Sequence, residues 1–381
     1  MKKYLNYIAL LVIAVFFVGC KEHQTPLTDT TRLYPACDAK GEKWGFINPK
    51  GDFIIPPIYK DVTGFSCGYA LVWIGNGDSP MFIDTKGKIQ YSSADDAEPF
   101  YYKYARFAMG SACGFLNTSF RITCQPIYES LGNMTADGLA TAKLKSDKKY
   151  GYVDANGEWK IQAIYDYASD FDEGIAVVGF GDRMGVINKD ASFAIQPLYE
   201  HLYAIGNGLV AFEQSDNYGI LDRKGNFVVQ PIYEEIGICF DNDLIPVEQY
   251  EKVGYVNTKG DLKIDCMYDN GTSFYEGCAW VEINDREQII DTKGQTVILF
   301  DDRESVVTLF HNGLALIAVE GEDGTTTYKY IDKRNTTIYS WRIENAWQGT
   351  QGNRGKVAKT ALPNSKSLIE MTERFDSRYL H

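Results

Sequence analysis

The sequence predicts an all-β protein built as a tandem array of about nine antiparallel β-meander repeats of roughly 35 residues each. Two observations lead to this fold class. A short motif recurs nine times along the chain, at spacings of 33 to 41 residues. Each copy also alternates strand-like runs with Gly, Asn, Asp and Pro, which are the residues that end strands and form turns.

The best preserved copies begin with an aromatic residue and Gly, followed by an aromatic and an aliphatic residue. Residues 44–47 read Trp-Gly-Phe-Ile, and residues 150–153 read Tyr-Gly-Tyr-Val. The Gly position falls at residues 45, 81, 114, 151, 185, 219, 254, 288 and 329, and six of these nine positions hold Gly. Alternation along these runs is typical of a strand.

A turn follows the first strand of every copy. Three residues after the Gly position stands an Asp or Asn, whose side chain accepts a hydrogen bond from the backbone two residues on. In seven copies a Gly or Asn follows three residues later, and both tolerate a positive φ. Each copy therefore predicts a β-hairpin. The Asx residues are Asn48, Asp84, Asn117, Asp154, Asn188, Asp222, Asn257, Asp291 and Asp332.

The second strand of the hairpin ends in a segment such as Gln-Pro-Ile-Tyr, because Pro cannot donate a ladder hydrogen bond. A Gly-containing turn, as at Glu173-Gly174, leads into a third short strand. Such a three-stranded unit can bury its apolar face only against a neighbouring unit, and we expect the recurring Tyr to pack there. Because propellers need about four strands per blade and typically four to eight blades, an open, curved solenoid is favoured over a closed propeller.

These residues resemble the WG-repeat family of bacterial proteins. The resemblance rests on the aromatic-Gly start, the Asp or Asn and Gly of the turn, and the Pro and Tyr that follow. Trp44-Gly45 is the one literal Trp-Gly pair, and the C-terminal copies depart furthest from the pattern. Since the family has no established catalytic activity, the resemblance implies an architecture and not a reaction.

Residues 1–19 read as a lipoprotein signal peptide, with two lysines before an apolar run that is short for a membrane span. The run ends in residues 17–20, Phe-Val-Gly-Cys, which resemble a lipobox. We expect Cys20 to carry lipid, including palmitate, and to anchor the exported protein without a spanning helix. Lys21 follows in place of the Asp that favours inner-membrane retention, so outer-membrane delivery is expected.

The remaining chain divides into three predicted parts. Residues 20–32 form a lipidated tether, residues 33–340 form the repeat array, and residues 341–381 form a C-terminal cap or mobile tail.

Seven cysteines follow Cys20, without a Cys-x-x-Cys motif or a Cys/His cluster, so we expect no metal site and no cofactor. Cys113 and Cys124 lie on the two strands of the third hairpin. They face each other if the turn holds two residues, and an exported protein permits a disulfide. With a bulge the register slips by one residue and the bond is disfavoured, so both alternatives stay open.

Sequence motifs for catalysis are lacking, and the four histidines are scattered. The recurring carboxylates exchange with Asn at a turn-forming position, which favours a structural role over acid–base chemistry. The net charge of −13 disfavours a nucleic-acid partner and an anionic lipid surface.

The leading hypothesis is a membrane-anchored, non-catalytic binding or scaffold lipoprotein that uses its repeat surface for protein–protein interaction at the cell envelope. The alternative is a carbohydrate- or peptidoglycan-binding envelope protein, which requires exposed aromatic residues along one face. An enzyme would need a convergent polar cluster that the sequence does not reveal. Candidate ligand contacts are the tryptophans outside the repeat motif: Trp73, Trp280, Trp341 and Trp347.

Overall fold

The computed structural model describes residues 32–75, 79–92, 94–239 and 243–344. Within these ranges the chain consists of strands joined by turns, and no helix there is long and apolar enough to cross a membrane. The predicted signal peptide, Cys20 and nearly all of the tether lie outside the described residues, and so does Trp347.

Strands follow one another closely along the whole described chain. In chain order they are β1 (Tyr34–Cys37), β2 (Trp44–Ile47), β3 (Phe53–Tyr59), β4 (Asp61–Val62), β5 (Tyr69–Trp73), β6 (Met81–Asp84), β7 (Ile89–Tyr91), β8 (Asp96–Tyr101), β9 (Tyr104–Met109), β10 (Ala112–Asn117), β11 (Ile122–Leu131), β12 (Ala140–Leu144), β13 (Tyr150–Val153), β14 (Trp159–Tyr165), β15 (Tyr167–Ala168), β16 (Ile175–Phe180), β17 (Arg183–Asn188), β18 (Phe193–Tyr199), β19 (Leu202–Gly206), β20 (Leu209–Gln214), β21 (Asn217–Leu221), β22 (Phe227–Tyr233), β23 (Glu235–Ile236), β24 (Leu244–Gln249), β25 (Lys252–Asn257), β26 (Leu262–Tyr268), β27 (Asn270–Gly271), β28 (Cys278–Ile283), β29 (Arg286–Asp291), β30 (Thr296–Leu299), β31 (Glu304–His311), β32 (Leu314–Glu320), β33 (Thr325–Asp332) and β34 (Thr337–Glu344).

In the described residues these strands form eight antiparallel meander sheets, in which sequence neighbours are also spatial neighbours. The first sheet (β1–β3) has three strands and the third (β8–β14) has seven. Four strands make up the second (β4–β7), fourth (β15–β18), fifth (β19–β22), sixth (β23–β26), seventh (β27–β30) and last (β31–β34) sheets. In the third sheet, the long strand β11 ends one repeat copy and begins the next, because it pairs with β10 and with β12.

The meander predicted from the sequence is confirmed, but the prediction of three strands per unit is wrong. A short additional strand follows the last strand of the preceding copy after one residue, as β4 follows β3. It spans two residues in β4, β15, β23 and β27. A two-residue strand is too short to produce an alternation in the sequence, which is why the pattern did not reveal it.

The core of the described chain consists of nine hydrophobic clusters, each of which joins two repeat copies. In one of them, Ile161 and Tyr165 of β14 pack with Ala176 and Ile187 of the next sheet. The expected packing role of the recurring tyrosines is confirmed for Tyr59, Tyr128, Tyr165, Tyr233 and Tyr268, which are all buried.

The last sheet packs against the first sheet. Trp341 of β34 lies in a buried cluster with residues of β1 and β2. The hydroxyls of Tyr330 and Tyr339 donate hydrogen bonds of 2.8 Å to the carbonyl oxygens of Pro35 and Cys37. An open array would leave both of these faces in water. In the described residues the last sheet of the array therefore contacts its first sheet.

The array also extends beyond its predicted end at residue 340. Strand β34 continues to Glu344, and Trp341 belongs to the buried cluster between the last and first sheets. The motif has drifted most in this copy, so the sequence pattern ends before the strand does. Residues 345–381 of the predicted tail lie outside the described residues.

Candidate functional site

Six copies of the repeat have a bulge in their last strand, in which three residues lie opposite the Gly of the motif. In β13 and β14, Tyr152 pairs with Ile161 and Tyr150 pairs with Tyr165, so Gly151 alone faces three residues. The same register shift occurs in five other hairpins. The bulged strand therefore holds two more residues than its partner at this point.

The motif Gly gives the bulge the space it needs. A Cβ atom added to Gly151 would lie 2.6 Å from the carbonyl oxygen of Ile161 and 2.7 Å from the backbone nitrogen of Ala163. These are backbone atoms, so the contact cannot be relieved by a side-chain rotation. The equivalent glycines meet the same part of their bulges: Gly45, Gly114, Gly185, Gly219 and Gly254. Two of the copies without this Gly, in the seventh and last sheets, pair without such a bulge.

The bulged strand of each of these six copies also carries one large apolar side chain that faces solvent. We call these six side chains the rim row: Ile58, Ile127, Ile164, Leu198, Ile232 and Met267, which are 49–72% exposed. Val229 lies three positions before Ile232 in β22 and is buried in the core. The rim row is therefore an apolar part of the surface. Its side chains recur at one register position and are not packed in the core.

Sequence reasoning missed the rim row, because the Gln-Pro-Ile-Tyr segment was interpreted as a strand end whose Tyr packs inwards. The available signal was a large aliphatic residue directly before that Tyr in copy after copy. Prolines stand before four members of the row: Pro57, Pro126, Pro197 and Pro231. Proline removes a backbone donor from an edge strand, so it blocks strand pairing there and leaves the aliphatic side chain exposed.

The acidic residues that follow the recurring Tyr have a structural role. Asp166 Oδ2 accepts a hydrogen bond from the Gly181 N–H, and Glu234 accepts the N–H groups of Tyr250 and the residue after it. Asp95 and Asp269 make the same contact in their copies. The Gly181 N–H and the Lys149 ammonium lower the pKa of Asp166. These carboxylates hold the loop between the second and third strands, which explains why they recur.

A polar cluster lies between the fifth and sixth sheets. Glu213 Oε2 accepts a hydrogen bond of 3.4 Å from the Tyr218 hydroxyl and lies 3.8 Å from His201 Nε2. Burial raises the pKa of Tyr218, of Tyr203 and of Glu235. A raised hydroxyl pKa disfavours a nucleophile, and the exposed His201 ring does not contact a hydroxyl that it could activate. This arrangement therefore does not activate a nucleophile.

The structure does not bring the two histidines of the array together, since His201 belongs to the fifth sheet and His311 to the last. Burial lowers the pKa of His311 to about 4, and its ring stacks on Tyr275 with centroids 6.2 Å apart. Among the described residues no group of three His, Cys, Asp or Glu side chains is arranged to hold a metal ion.

Two of the predicted ligand contacts are wrong. Trp280 is buried and donates its indole N–H to Glu287 Oε2 at 2.7 Å. Trp341 is buried in the cluster between the last and first sheets. Both indoles fill positions between packed sheets, where no ligand can reach them. Trp73 is half-buried at the end of β5, and Trp347 lies outside the described residues.

Cys113 and Cys124 are buried in the structure and are not bonded to each other. Cys113 pairs with Tyr128, whereas Cys124 pairs with Phe115. Phe115 takes the place opposite Cys124 because the register has already shifted between Leu116 and Phe115, close to the turn, so the cysteines do not face each other.

Five of the six bulged copies are matched by a known family. A family model described as WG containing repeat matches residues 44–76, 150–183, 184–218, 218–252 and 254–286. The chain belongs to the WG-repeat family. Each matched segment of this WG-repeat protein contains a motif Gly and its bulge. A search among curated proteins gives no match.

Several solved structures are similar to this WG-repeat protein at low identity. A dihydro-heme d1 dehydrogenase in complex with DHE is 11% identical, with a TM-score of 0.45 over 85% of this chain and 76% of its own. Hsv2 of Kluyveromyces lactis is 9% identical, with a TM-score of 0.39 over 63% and 94%. A eukaryotic initiation factor is 9% identical, with a TM-score of 0.39 over 86% and 91%. Because these TM-scores lie below 0.5, no property of these proteins is transferred to this chain.

Proposed function

We propose that this protein is a non-catalytic binding or scaffold protein whose nine repeat copies form a closed, propeller-like ring. The contacts between the last and first sheets support the ring, as do the nine clusters that join successive copies. Four-stranded sheets are also usual for propeller blades, although nine copies exceed the typical four to eight.

The rim row carries the proposed binding function. Its side chains are 49–72% exposed at a register position that repeats in six copies, next to a Tyr that the core does bury. Burying one such aliphatic side chain against a partner contributes about 1.5–3 kcal/mol. Several of them on one partner would therefore give a stable protein–protein contact, since a few well-packed side chains dominate such interfaces.

The net charge of the chain indicates which charge a protein partner would carry. A net charge of −13 favours a protein partner with basic groups around its apolar contact surface, because complementary charges speed association and fix orientation. Partners with dense negative charge, such as nucleic acids, are disfavoured for the same reason.

We also propose that lipid on Cys20 holds the ring at the cell envelope, with the outer membrane as its destination. The support is the signal-peptide pattern of residues 1–19 and the Lys at position 21. Metabolic labelling with a palmitate analogue tests this proposal. The native chain should take up label and sediment with membranes, and Cys20→Ser should lose both properties. Labelling of the variant, or a native chain free of lipid, would contradict the anchor.

The carbohydrate-binding alternative has less support. It relied on tryptophans along an exposed face, but Trp280 and Trp341 are buried. The side chains that recur in the rim row are aliphatic, whereas sugar-binding faces use aromatic rings.

In-cell cross-linking with a matched pair of variants tests the rim row. Met267 belongs to the row, whereas Met109 ends β9 outside it, and both are 49% exposed. Met267→Ser should lower the yield of the cross-linked protein partner about tenfold, which corresponds to roughly 1.4 kcal/mol. Met109→Ser should leave that yield unchanged. An equal yield from both variants would count against the rim row as the binding surface.

A further inference from the structure

One carboxylate beside the rim row differs from its equivalents in the charge that faces it. In three copies the acidic residue directly after the recurring Tyr pairs with a cation 17 residues earlier in the same hairpin. These ion pairs are Lys149 with Asp166, Arg183 with Glu200, and Lys252 with Asp269. By register, the equivalent residues of the fifth sheet are Asn217 and Glu234. A neutral amide therefore stands where these copies have a cation.

Two more carboxylates lie near Glu234, and in the described part of the chain none of the three forms an ion pair with Lys or Arg. Glu235 is the next residue and lies directly opposite Glu248 in the β23–β24 pair. Burial, followed by the nearby carboxylates of Glu248 and Glu234, raises the pKa of Glu235. Glu213 and Glu235 both lie near the Tyr218 hydroxyl, whose pKa is raised by burial and then by these carboxylates. The surface around Glu234 is thus locally negative.

An exposed aromatic ring belongs to the same surface. Tyr250, at the turn between β24 and β25, is 81% exposed, and its N–H donates to Glu234 Oε1 at 3.1 Å. Its φ of 55° lies in the left-handed region, which a bulky side chain disfavours. The equivalent turns of the fourth and seventh sheets begin with Gly181 and Asn284, which tolerate this conformation. Tyr250 therefore adds neither core packing nor local stability, and this favours a role at the surface.

A member of the rim row lies beside this ring. Ile232 is exposed two residues before Glu234, and its carbonyl oxygen accepts a hydrogen bond of 3.4 Å from the side-chain amide of Gln249. Gln249 directly precedes Tyr250 in the chain. An aliphatic side chain, an aromatic ring and a carboxylate therefore share one part of the surface between the fifth and sixth sheets.

The chain itself shows how a guanidinium is held at the equivalent place. In the fourth sheet, Arg183 Nη1 lies 3.1 Å from Glu200 Oε1 and donates to the carbonyl oxygen of the rim residue Leu198 at 3.2 Å. Glu200 and Leu198 correspond by register to Glu234 and Ile232. Because the fifth sheet has an amide in place of that Arg, it offers the same kind of acceptors to a guanidinium from another molecule.

We propose, on the basis of the proposed binding function, that the protein partner places an arginine side chain against Tyr250 and Glu234 and an apolar side chain on Ile232. A guanidinium suits this surface, because its flat face stacks on an aromatic ring while its N–H groups bond a carboxylate. A lysine ammonium is more strongly hydrated and cannot stack in this way.

This contact would also determine where on the arc the partner binds. The acidic residues at the equivalent position of the other arc copies already pair with a cation of the chain itself: Glu129 with Lys143, Asp166 with Lys149, Glu200 with Arg183, and Asp269 with Lys252. Only the surface around Glu234 would therefore combine a rim side chain with a carboxylate that takes its cation from the partner.

Selection of a library of random peptides on the purified full chain tests the proposal. The selected peptides should carry an arginine beside a large apolar residue. Fluorescence polarisation then measures the affinity of one selected peptide for two matched variants. Asn217→Lys should lower the affinity at least about tenfold, because the introduced ammonium should pair with Glu234 as Lys149 does with Asp166.

The control is Asn156→Lys, which makes the same exchange at an exposed turn position that holds Lys50 and Lys86 in other copies. It should leave the affinity unchanged. A library that gives no arginine-containing peptide, or a peptide that binds both variants equally well, would overturn the proposal.

Tyr250→Gly separates binding from folding. Glycine adopts a φ of 55° without strain, so the melting temperature should not fall. The affinity for the selected peptide should nevertheless fall about tenfold, because the stacking surface is gone. An unchanged affinity would mean that the ring does not contact the arginine, and the proposal would be wrong.

Cross-linking in cells distinguishes this proposal from the binding function on which it rests. A lower yield of the cross-linked partner with both Met267→Ser and Asn217→Lys would support both. A lower yield with Met267→Ser alone would keep the rim row as the binding surface and overturn the arginine contact. If neither variant lowered the yield, the rim row would fail together with the contact.

Discussion

The bulged and unbulged copies of the repeat differ in one structural respect. In β13 and β14 the residue opposite the bulge is Gly151, and the facing strand holds two extra residues. In β33 and β34 that position holds Lys329, and the pairing stays one for one from Thr325 to Tyr330. The motif Gly is therefore required by the close approach of the bulged strand. A Cβ atom and the bulge exclude each other.

The difference also decides where the rim row lies. Copies without the motif Gly interrupt it in the second, seventh and last sheets. Five members follow one another without interruption through the third to sixth sheets: Ile127, Ile164, Leu198, Ile232 and Met267. A partner that contacts successive copies would therefore bind on this arc. The motif Gly faces the bulge, and the surface proposed for binding lies in the same strand segment.

The largest expected effect on stability comes from adding a Cβ atom to a motif Gly that faces a bulge. Gly151→Ala puts a Cβ atom 2.6 Å from the Ile161 carbonyl oxygen, and the strand must shift. Overpacking of this kind costs about 1–3 kcal/mol, so the melting temperature should fall by several degrees. The control is Lys329→Ala in the unbulged last copy, which should change stability by less than about 0.5 kcal/mol. Equal effects in a thermal denaturation series would remove the proposed difference between the copies.

A second experiment deletes the extra residues of the bulge, so that the same Gly can be tested without it. Removing Gln162 and Ala163 from β14 gives this copy the strand length of an unbulged one, with Gly151 opposite a regular ladder. In that background Gly151→Ala should cost less than about 0.5 kcal/mol, because the backbone that blocked the Cβ atom is gone. The double-mutant cycle by chemical denaturation measures the coupling. Additive effects would show that the Gly serves some purpose other than the bulge.

The repeat itself was predictable, because each turn residue has a local cause. Asp154 Oδ1 accepts the N–H groups of Asn156 and Glu158, and Gly157 has a φ of 79°. In the third copy Phe120 adopts φ 56° at the Gly position, and its ring packs among aromatic residues of the second and third sheets. Such an exchange of local strain for packing depends on neighbours that no local motif specifies.

The contact between the last and first sheets and the rim row were not predictable for the same reason. Packing of the first sheet against the last sheet joins residues some 300 positions apart, as the bond from Tyr339 to Cys37 does. The register shift beside Ile232 results from two extra residues on one strand, which a pattern of alternating residues does not reveal. The tryptophans outside the motif were predicted to contact a ligand. Trp280 and Trp341 are instead packed between sheets.

A smaller effect is expected at the strand that follows the first bulge. Burial raises the pKa of Asp61 in β4 to about 6, from 3.8. The folded state therefore binds more protons than the unfolded state between about pH 4 and pH 6, and stability is lost as the pH rises through that window. The equivalent residue after the bulge of β26 is Asn270, whose Oδ1 accepts the Gly271 N–H as Asp61 Oδ1 accepts that of Val62.

Asp61→Asn should therefore raise the free energy of unfolding by roughly 1–2 kcal/mol at pH 7, allowing for partial solvent screening. The gain should vanish at pH 4, where the native carboxyl is protonated. Urea denaturation of both chains at the two pH values measures this. The same gain at pH 4 and pH 7 would rule out the carboxylate charge as the cause.

The smallest expected effect on stability separates two equally exposed side chains. Ile232 lies in a bulge and Leu299 in the unbulged seventh sheet, and both are 51% exposed. Ile232→Ser and Leu299→Ser should each change the free energy of unfolding by less than about 0.5 kcal/mol, because neither side chain is part of the core. Capture of the cross-linked partner should distinguish them, with a loss for Ile232→Ser alone. A similar loss for Leu299→Ser would mean that exposed aliphatic area alone governs binding, and that the bulge adds nothing beyond exposure.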